Sequence, residues 1–306
     1  MIMGRMTDTS SVSVIIPIRN GTSLLRECLQ SLAEQELPPG LSEVLICDDG
    51  STDDLRPTVE EFSGRLPGLR LLRQSPKGPA AARNLGFRSC NTDIYVCIDS
   101  DLVCTEGFLS HLVSSFGQHP EWVAAESTVL PKGEKSLLFD APENHGGTYV
   151  SGGGAYRADA LRRAGGFDEA YPYPACEDAE IGARLLNLGA YGYVPEAIVY
   201  HPTRRVTLAT HWRWRKFWKY IMINAKRYGF LSFPGRSAGR FPRLRVALAA
   251  VITLPGGRFL LACTRIRHNP KEACLACVYA LFDVVCGLLA LPDILFAPVP
   301  PRKNYL

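Results

Sequence analysis

The stretch Ile94-Tyr95-Val96-Cys97-Ile98-Asp99-Ser100-Asp101 joins a continuous apolar run directly to two aspartates. An apolar run without polar alternation predicts a strand that is covered on both faces. Residues two apart in an extended segment point the same way, so Asp99 and Asp101 are expected to converge on one ligand. Close carboxylates repel each other unless a cation neutralises them, and hard oxygen ligands favour Mg²⁺ or Mn²⁺. The alternative is that this Asp-x-Asp merely caps a turn.

Three apolar runs upstream show the same pattern, at 13–18, 44–47 and 69–72. Helical spacing follows the first run, with Thr22 and Ser23 as candidate caps, and helices are also predicted before Phe62 and over 80–88. Buried strands that alternate with helices predict an α/β fold with a mostly parallel sheet and helices on both faces. Ligands of such sheets bind beyond the carboxyl ends of the strands.

A second acidic cluster, Asp48-Asp49-Gly50-Ser51-Thr52-Asp53, follows the second apolar run. Because parallel strands end at the same edge, it should share a crevice with Asp99 and Asp101, which favours a ligand site over a turn cap. The sequence has no Gly-x-Gly-x-x-Gly after the first run and no Gly-x-x-x-x-Gly-Lys-Ser/Thr anywhere. These absences argue against a nicotinamide site and a P-loop.

A helix is predicted over 177–189, and its first turn is acidic. Asp178 falls on the apolar face of this helix. It either complements the helix dipole or serves as a general base that faces a cleft. Glu180 and Arg184 are four residues apart and are predicted to form an ordinary surface pair.

Six motifs occur in an order that resembles the family 2 glycosyltransferases of GT-A fold. The resemblance covers about Ser11 to His201, roughly two thirds of the chain. The motifs are Val12-Ser13-Val14-Ile15-Ile16-Pro17, Asp48-Asp49-Gly50-Ser51-Thr52-Asp53, Gly78-Pro79-Ala80-Ala81-Ala82-Arg83-Asn84-Leu85-Gly86, Asp99-Ser100-Asp101, Gly165-Gly166-Phe167-Asp168-Glu169 and Glu177-Asp178.

The resemblance implies a Rossmann-like GT-A sheet, a nucleotide-diphosphate sugar as donor and inversion at the anomeric carbon. Pro17 belongs to the donor site under this interpretation. Asp48 and Asp49 would contact the base and the ribose, and Asp99 would lie beside the ribose. Arg83 would brace either the acidic cluster or the diphosphate.

The resemblance also implies a divalent cation, Mn²⁺ or Mg²⁺, on the donor diphosphate. Asp101 would bind this metal, and His201 would be either a further metal or diphosphate contact or a structural residue. Asp178 would be the general base for the acceptor hydroxyl, with Glu177 in support. A retaining mechanism would need a nucleophile beneath the sugar, for which the sequence offers no clear candidate.

Charge is distributed unevenly along the chain. Residues 1–200 carry 16 basic and 27 acidic side chains, a net of −11, whereas residues 201–271 carry 16 basic and no acidic side chains. Aromatic residues are interleaved with the basic ones over 204–245, as in nucleic-acid-binding or membrane-interface segments. The apolar runs that follow favour a membrane surface, and no nucleic-acid partner is expected.

Two apolar runs, 246–263 and 273–292, follow the basic segment. Pro255-Gly256-Gly257 is expected to break the first run before it is long enough to span a bilayer. The second run has twenty residues and one charge, Asp283, which costs about 2.5–3.5 kcal/mol at a bilayer centre. A membrane-embedded hairpin or interfacial helices fit this pattern, and the alternative is two helices packed on the protein's own core.

The sequence predicts a catalytic domain over 1–205 and a helical, membrane-associated region over 206–306.

Residues 1–11 lack the apolar core of a secretory signal, and the ten cysteines are interpreted as reduced thiols. Cys274-x-x-Cys277 has no second ligand pair and is not predicted to bind metal. These features place the protein at the cytoplasmic face of the cell membrane.

The leading function is therefore transfer of a sugar to a hydroxyl of a lipid-linked or saccharide acceptor in polysaccharide or glycolipid biosynthesis. A sugar nucleotidyltransferase is one alternative, although Arg19-Asn20-Gly21-Thr22 makes a poor phosphate loop. A non-catalytic, membrane-bound scaffold of the same fold is the other alternative.

Overall fold

The computed structural model describes residues 10–230, 241–266 and 269–306 of the chain. The chain divides into two compact units. The sheet unit comprises Met1–Leu130, Pro142–Pro202 and Arg302–Leu306, and the helical unit comprises Pro131–Ala141 and Thr203–Pro301. The limits 1–205 and 206–306 for the catalytic and membrane-associated domains stay a prediction.

Ten strands are present in the described residues. They are β1 (Val12–Ile18), β2 (Leu41–Asp48), β3 (Arg70–Arg73), β4 (Ile94–Cys97), β5 (Val103–Cys104), β6 (Trp122–Lys132), β7 (Phe139–Asp140), β8 (Gly154–Arg157), β9 (Ala190–Pro202) and β10 (Arg204–Arg205). Eight of them form one sheet in the order β3-β2-β1-β4-β8-β6-β9-β5, and β7 pairs with β10.

The first four strands of the large sheet are parallel. Ile15 of β1 is paired with Leu45 of β2 on one side and with Cys97 of β4 on the other. From β8 onward the sheet contains antiparallel pairs, β4 with β8, β8 with β6, and β5 with β9. The carboxyl ends of β1, β2 and β4 therefore meet at one edge, together with the beginning of β8. This arrangement confirms the α/β fold of GT-A type.

Helices cover both faces of this sheet, as predicted. The helices of the sheet unit are α1 (Thr22–Ala33), α2 (Arg56–Phe62), α3 (Pro79–Ser89), α4 (Phe108–Gln118), α5 (Ala158–Ala164) and α6 (Glu177–Leu185). Neighbouring residues of β1 point to opposite faces of the sheet and belong to two different hydrophobic clusters. Val14 is in the cluster that contains Leu29 of α1, whereas Ile15 is in the cluster that contains Ala82 of α3. Gly86 permits the approach of α3, because a Cβ there would lie 2.6 Å from Ile15 Cγ2.

The start of α1 differs from the prediction. The N-cap is Gly21 at φ 94°, and neither Thr22 nor Ser23 caps the helix with its own side chain. Asp53 supplies the oxygen instead, because its Oδ2 accepts from Gly21 N at 2.7 Å and from Thr22 Oγ1 at 3.3 Å. A carboxylate from the loop after β2 thus replaces the local cap, a contact that no local sequence pattern encodes.

The helical unit contains five α-helices and a π-helical turn among its described residues. They are α7 (Leu208–Trp214), α8 (Phe217–Tyr228), α9 (Pro242–Leu248), the π-helical turn Ala249–Thr253, α10 (Leu254–Arg265) and α11 (Pro270–Phe296).

The prediction that Pro255-Gly256-Gly257 interrupts the first apolar run is wrong. Helical structure runs through it from Pro242 to Arg265, because the π-helical turn and the first turn of α10 accommodate the missing N–H of Pro255. This 24-residue segment and the 27-residue α11 are long and apolar enough to cross a membrane, judged by length and composition alone.

All ten cysteines lie in the described parts of the chain, and all are free thiols. Five of them are buried: Cys28, Cys47, Cys97, Cys104 and Cys286. Burial raises the pKa of the buried thiols of the sheet unit, which therefore stay protonated and act as small apolar side chains. Cys263 and Cys274 are exposed and do not fit that interpretation.

Candidate active site

The predicted acidic pair lies at the carboxyl end of β4. Asp99 is 38% exposed in its side chain, and Asp101 is 15% exposed. The backbone of Gly152, just before β8, passes directly against Asp99, and a Cβ on Gly152 would lie 2.4 Å from Asp99 Oδ2. Gly152 therefore shapes the crevice, a role that the sequence did not indicate.

Arg83 of α3 connects the two acidic parts of the site. Its Nη2 donates to Asp99 Oδ1 at 2.8 Å, and its Nη1 lies 3.1 Å from Glu177 Oε1. The guanidinium is 3% exposed and lies over the ring of Phe167. Burial lowers the pKa of Arg83, but the neighbouring acidic groups, Asp99 and Glu177 first among them, together raise it above its ordinary value, so the side chain stays charged. Arg83 thus contacts the acidic cluster, and whether it also braces the donor diphosphate stays a prediction.

Glu177 and Asp178 form the first turn of α6. Cys176 precedes them in a left-handed backbone conformation, at φ 70°, which is strained for a residue with a Cβ. Glu177 is buried, whereas Asp178 is partly exposed and accepts from the N–H of Ala179 at 2.7 Å. The partly exposed carboxylate of the pair is thus Asp178.

Both carboxyls have raised pKa values. Burial raises the pKa of Glu177 to about 8, with a further increase from neighbouring Asp178 that Arg83 only partly offsets. Burial likewise raises the pKa of Asp178 to about 6. The hydrogen bond from the Ala179 N–H and the charge of Arg83 lower this pKa, but by less than burial raises it. A carboxyl with such a pKa accepts protons more readily near neutral pH than an ordinary aspartate does.

Asp101 and His201 come together although they are a hundred residues apart in the sequence. His201, near the end of β9, has its Nε2 3.4 Å from Asp101 Oδ2, and its Nδ1 lies 2.9 Å from the carbonyl oxygen of Pro202. If Nδ1 donates to this carbonyl, Nε2 is left as the ligating atom. An oxygen and an imidazole nitrogen at this spacing fit one Mn²⁺ or Mg²⁺ ion.

Within residues 10–230, 241–266 and 269–306, no group of three His, Cys, Asp or Glu side chains is placed to hold a metal. An ion held by Asp101 and His201 would therefore take its other ligands from the donor diphosphate and water.

The remaining predicted donor residues shape the loops around the crevice. Asp49 accepts three hydrogen bonds of 2.8 Å, from Gln74 Nε2, Lys77 N and Gly78 N. Asp48 accepts from Ser51 N at 2.7 Å and pairs with Arg73 at 2.9 Å. Pro17 is buried in β1 opposite Cys47. The contacts of these three residues with a nucleotide stay predictions.

Two residues that hold neighbouring segments of the site in place were not predicted from the sequence. Asn84 donates to the carbonyl of Phe167 and accepts from its N–H, both at 2.9 Å, and so fixes the Gly-Gly-Phe-Asp-Glu segment beside Arg83. Glu126 of β6 is buried and accepts from Asn144 Nδ2 and from Val150 N, which orders the loop that leads to Gly152. A lone glutamate within an apolar strand was the available signal for Glu126.

The predicted surface pair of Glu180 and Arg184 is wrong. Both side chains are buried, at 0% and 4% exposure. Arg184 also donates to the carbonyls of Ala164 and Gly166, each at 2.6 Å, at the end of α5. The unpaired carbonyls of a helix end draw the arginine inward, and the pair connects α6 to α5.

Comparison with known proteins agrees with this geometry. The model of the family described as glycosyl transferase family 2 matches residues 13–158, which include β1 to β4, Arg83 and both acidic clusters. The chain carries a family 2 glycosyltransferase domain.

This glycosyltransferase domain has relatives of known name. The pre-mycofactocin glycosyltransferase of Mycobacterium tuberculosis is 32% identical over 212 residues, which are 63% of this chain and 43% of the relative. The chain therefore spans less than half the length of that relative.

Solved glycosyltransferase structures share the fold. A mannosyltransferase from Pyrobaculum calidifontis, solved with GDP-Man and Mn²⁺, has a TM-score of 0.59 at 18% identity, with 91% of this chain and 87% of the other covered. Residues 1–349 of S. aureus TarS, solved with UDP, give a TM-score of 0.56 at 16% identity, with 89% and 90% covered. At these identities the likeness shows the fold alone.

Proposed function

We propose that the protein is an inverting glycosyltransferase that moves a sugar from a nucleotide-diphosphate donor to an acceptor hydroxyl. The observation that carries the proposal is that one buried guanidinium, that of Arg83, contacts both Asp99, next to the predicted metal residues, and Glu177, next to the predicted base. This contact assembles a donor side and an acceptor side in one crevice.

Asp178 is the proposed base. It is partly exposed, whereas Glu177 is buried and held by Arg83. In the displacement, the acceptor oxygen forms a bond to the anomeric carbon as the bond from that carbon to the diphosphate oxygen breaks. The nucleoside diphosphate leaves with the electron pair, and the acceptor proton passes to Asp178.

Asp101 and His201 are the proposed metal residues. When bound there, Mn²⁺ or Mg²⁺ would neutralise negative charge on the donor diphosphate. The mannosyltransferase with GDP-Man and Mn²⁺ supports this class of ligand, and TarS with UDP supports a nucleotide donor.

The acceptor belongs, in this proposal, to polysaccharide or glycoconjugate biosynthesis at the cytoplasmic face of a membrane. Two helices of sufficient length and apolarity support membrane association. The basic segment 201–271 would attract an anionic leaflet, adding about 1 kcal/mol for each Lys or Arg near the surface.

A donor screen tests the proposal. UDP-sugars and GDP-sugars are added to full-length protein with and without Mn²⁺, and the unfolding temperature and the release of UDP or GDP are recorded. We expect one donor class to stabilise the protein and to release nucleoside diphosphate only with metal. Pyrophosphate release from a nucleoside triphosphate and a sugar phosphate would instead show a nucleotidyltransferase. A complete lack of donor binding would show a scaffold.

A further inference from the structure

Residues 304–306, which we call the clasp, belong to the sheet unit and lie against the chain that follows α5. The N–H of Tyr305 donates to the carbonyl oxygen of Gly165 at 2.9 Å, and the Tyr305 hydroxyl donates to Asp168 Oδ1 at 3.3 Å. Arg88 of α3 donates through Nη1 to the carbonyl oxygen of Tyr305 at 3.0 Å. Three hydrogen bonds thus hold one residue of the clasp against α3 and the segment after α5.

The surface that receives the clasp is made of two glycines. Gly165 and Gly166 both have left-handed backbone conformations, with φ 83° and 72°. A Cβ on Gly165 would lie 3.0 Å from Asn304 Oδ1. A Cβ on Gly166 would lie 2.6 Å from Leu306 Cγ and 2.8 Å from Asn84 Oδ1 of α3. A residue with a side chain at either position would be strained in its backbone and would displace the clasp.

Leu306 adds an apolar contact to these hydrogen bonds. It is partly buried and packs against the core cluster that contains Phe167 and, from α6, Ile181. Tyr305 is partly buried as well. Directed hydrogen bonds and an enclosed side chain fix a single register, so the clasp is a specific docked segment rather than a loose covering.

The segment that the clasp holds is bonded to both helices of the candidate active site. The ring of Phe167 lies under the guanidinium of Arg83 on α3, with 5.4 Å between the Arg83 Cζ and the ring centre. Arg184 of α6 donates to the carbonyl oxygen of Gly166 at 2.6 Å. Because α6 begins with the Glu177-Asp178 pair, the segment connects the clasp to the proposed base.

We infer that Tyr305 and Leu306 are positioning residues for sugar transfer. The clasp holds residues 165–169 against α3 and α6 and thereby keeps Asp178 and Arg83 in their reactive arrangement. The inference rests on the proposed function, since it gives these residues a part in the same reaction. A displacement of about 1 Å that starts far from the reacting atoms can lower a rate about 10²-fold.

The donor side should respond less to the clasp than the base does. Asp49 accepts its hydrogen bonds from Gln74, Lys77 and Gly78. These partners lie outside the clasp and outside the segment that it holds. A loosened clasp should therefore lower kcat and leave the affinity for the donor close to that of the wild type.

Hydrogen–deuterium exchange of the full-length protein in detergent tests the contact without any substrate. Tyr305→Ala and Leu306→Ala should raise the exchange rate of peptides that cover 165–178 about fivefold or more, because fewer contacts then oppose local opening. Peptides that cover β2 should exchange as in the wild type. Equal exchange over 165–178 in the wild type and both variants would overturn the clasp.

Release of UDP or GDP from the UDP-sugars and GDP-sugars of the donor screen tests the role in the reaction. Water serves as the acceptor, so the assay needs no knowledge of the natural one, and Asp178 takes the proton of the attacking water. Tyr305→Ala and Leu306→Ala should lower kcat about tenfold or more and change the donor KM less than about threefold. Each kcat is divided by the number of donor sites that titration calorimetry counts, so that unfolded protein does not contribute.

Two control variants separate positioning from a general loss of structure. Leu306→Met keeps an apolar side chain of similar volume and should restore kcat to within about twofold of the wild type. Lys303→Ala removes an exposed side chain beside the clasp and should change kcat less than about twofold. Normal kcat in folded Tyr305→Ala and Leu306→Ala would overturn the inference. An equal fall in Leu306→Met and Leu306→Ala would overturn it too.

Failure of the inference differs from failure of the proposed function. A wild-type protein that releases no nucleoside diphosphate from any donor would overturn both, whereas an active wild type with equally active variants would overturn the inference alone. If the alanine variants fail to fold, Tyr305→Phe serves, because it loses only the hydroxyl that donates to Asp168. It should lower kcat about twofold or more. Wild-type kcat in Tyr305→Phe would then overturn the inference.

Discussion

Arg83 lies 3.1 Å from Glu177, although the two residues are 94 positions apart in the sequence. The same guanidinium reaches Asp99, so one cation connects helices α3 and α6 to the end of strand β4. One positive charge stands here among three carboxyls, since Asp178 follows Glu177. Burial is the main cause of the raised pKa values of Glu177 and Asp178, and this imbalance of charge adds to it.

Replacement of Arg83 by methionine should destabilise the protein. The variant leaves Glu177 buried without its cation, a change that typically costs about 3–5 kcal/mol of unfolding free energy. Urea denaturation at pH 8 measures this loss. At pH 5 the loss should be smaller, because Glu177, whose pKa burial raises to about 8, is then protonated and carries no buried charge.

The matched control for that variant is Arg26→Met. Arg26 pairs with Glu61 at the surface, with side-chain exposures of 62% and 38%, and such pairs contribute about 0–1 kcal/mol. Equal losses in the two variants would show that Arg83 has no special structural role.

Asp178→Asn should separate donor binding from transfer. The substitution keeps the shape of the side chain and removes the base, so donor affinity should persist while the transfer rate falls about 10²–10⁴-fold. Titration calorimetry with the donor and a rate assay measure the two quantities. Transfer at the wild-type rate would exclude Asp178 as the base, and Glu177→Gln would then be tested in the same assays.

The pH dependence of stability should identify Asp178 independently of activity. Its folded pKa, about 6, lies above the ordinary value, so folding favours the protonated form. The ionised carboxylate therefore lowers stability as the pH rises from about 4 through 6. Asp178→Asn should match the wild type at pH 4 and be about 1–3 kcal/mol more stable at pH 8.

Urea denaturation of both proteins at the two pH values checks this expectation. A stability difference that is the same at pH 4 and pH 8 would contradict the raised pKa. Asp54→Asn is the control, because Asp54 is exposed and pairs with Arg56, which lowers rather than raises its pKa.

The fold was predictable because its signals are local. Continuous apolar runs marked β1, β2 and β4, and acidic residues at their ends marked the crevice, since parallel strands must end at one edge. The cap of α1 by Asp53 was not predictable, because it depends on how a later loop folds back.

The candidate site was predictable in its residue types but not in its connections. Asp99, Asp101 and Arg83 could be named from motifs, whereas the sharing of Arg83 between Asp99 and Glu177 is a tertiary contact. The burial of Glu180 with Arg184 was missed for the same reason. An i, i+4 charge pair has the same sequence pattern whether water or another helix faces it.

Asp101→Ala should abolish the Mn²⁺-dependent part of donor affinity. Of the two donor atoms at the predicted metal position, Asp101 Oδ2 and His201 Nε2, the first belongs to a carboxylate, so its loss removes negative charge that attracts the cation as well as a ligand. Titration calorimetry with and without Mn²⁺ measures the difference. His201→Ala should show a smaller loss of the same kind, whereas Asp54→Ala, on an exposed loop, should show none. If donor affinity in Asp101→Ala depends on Mn²⁺ as it does in the wild type, Asp101 is not the metal ligand.

Membrane association should depend on the apolar surface of α11. Leu288 is 50% exposed there, and Leu288→Lys would place a charge on a surface that we propose contacts acyl chains. Insertion scales assign about 2.5–3.5 kcal/mol to a lysine at a bilayer centre, so the variant should shift from the membrane pellet toward the supernatant. Leu186→Lys adds the same charge at a 41% exposed position of the sheet unit and should leave the pellet fraction unchanged.

The wild-type protein should remain in the pellet in 1 M salt and be extracted by detergent, because salt screens charge attraction but leaves apolar burial intact. Wild-type protein that is soluble and monodisperse at low salt without detergent would show instead that these helices need no bilayer.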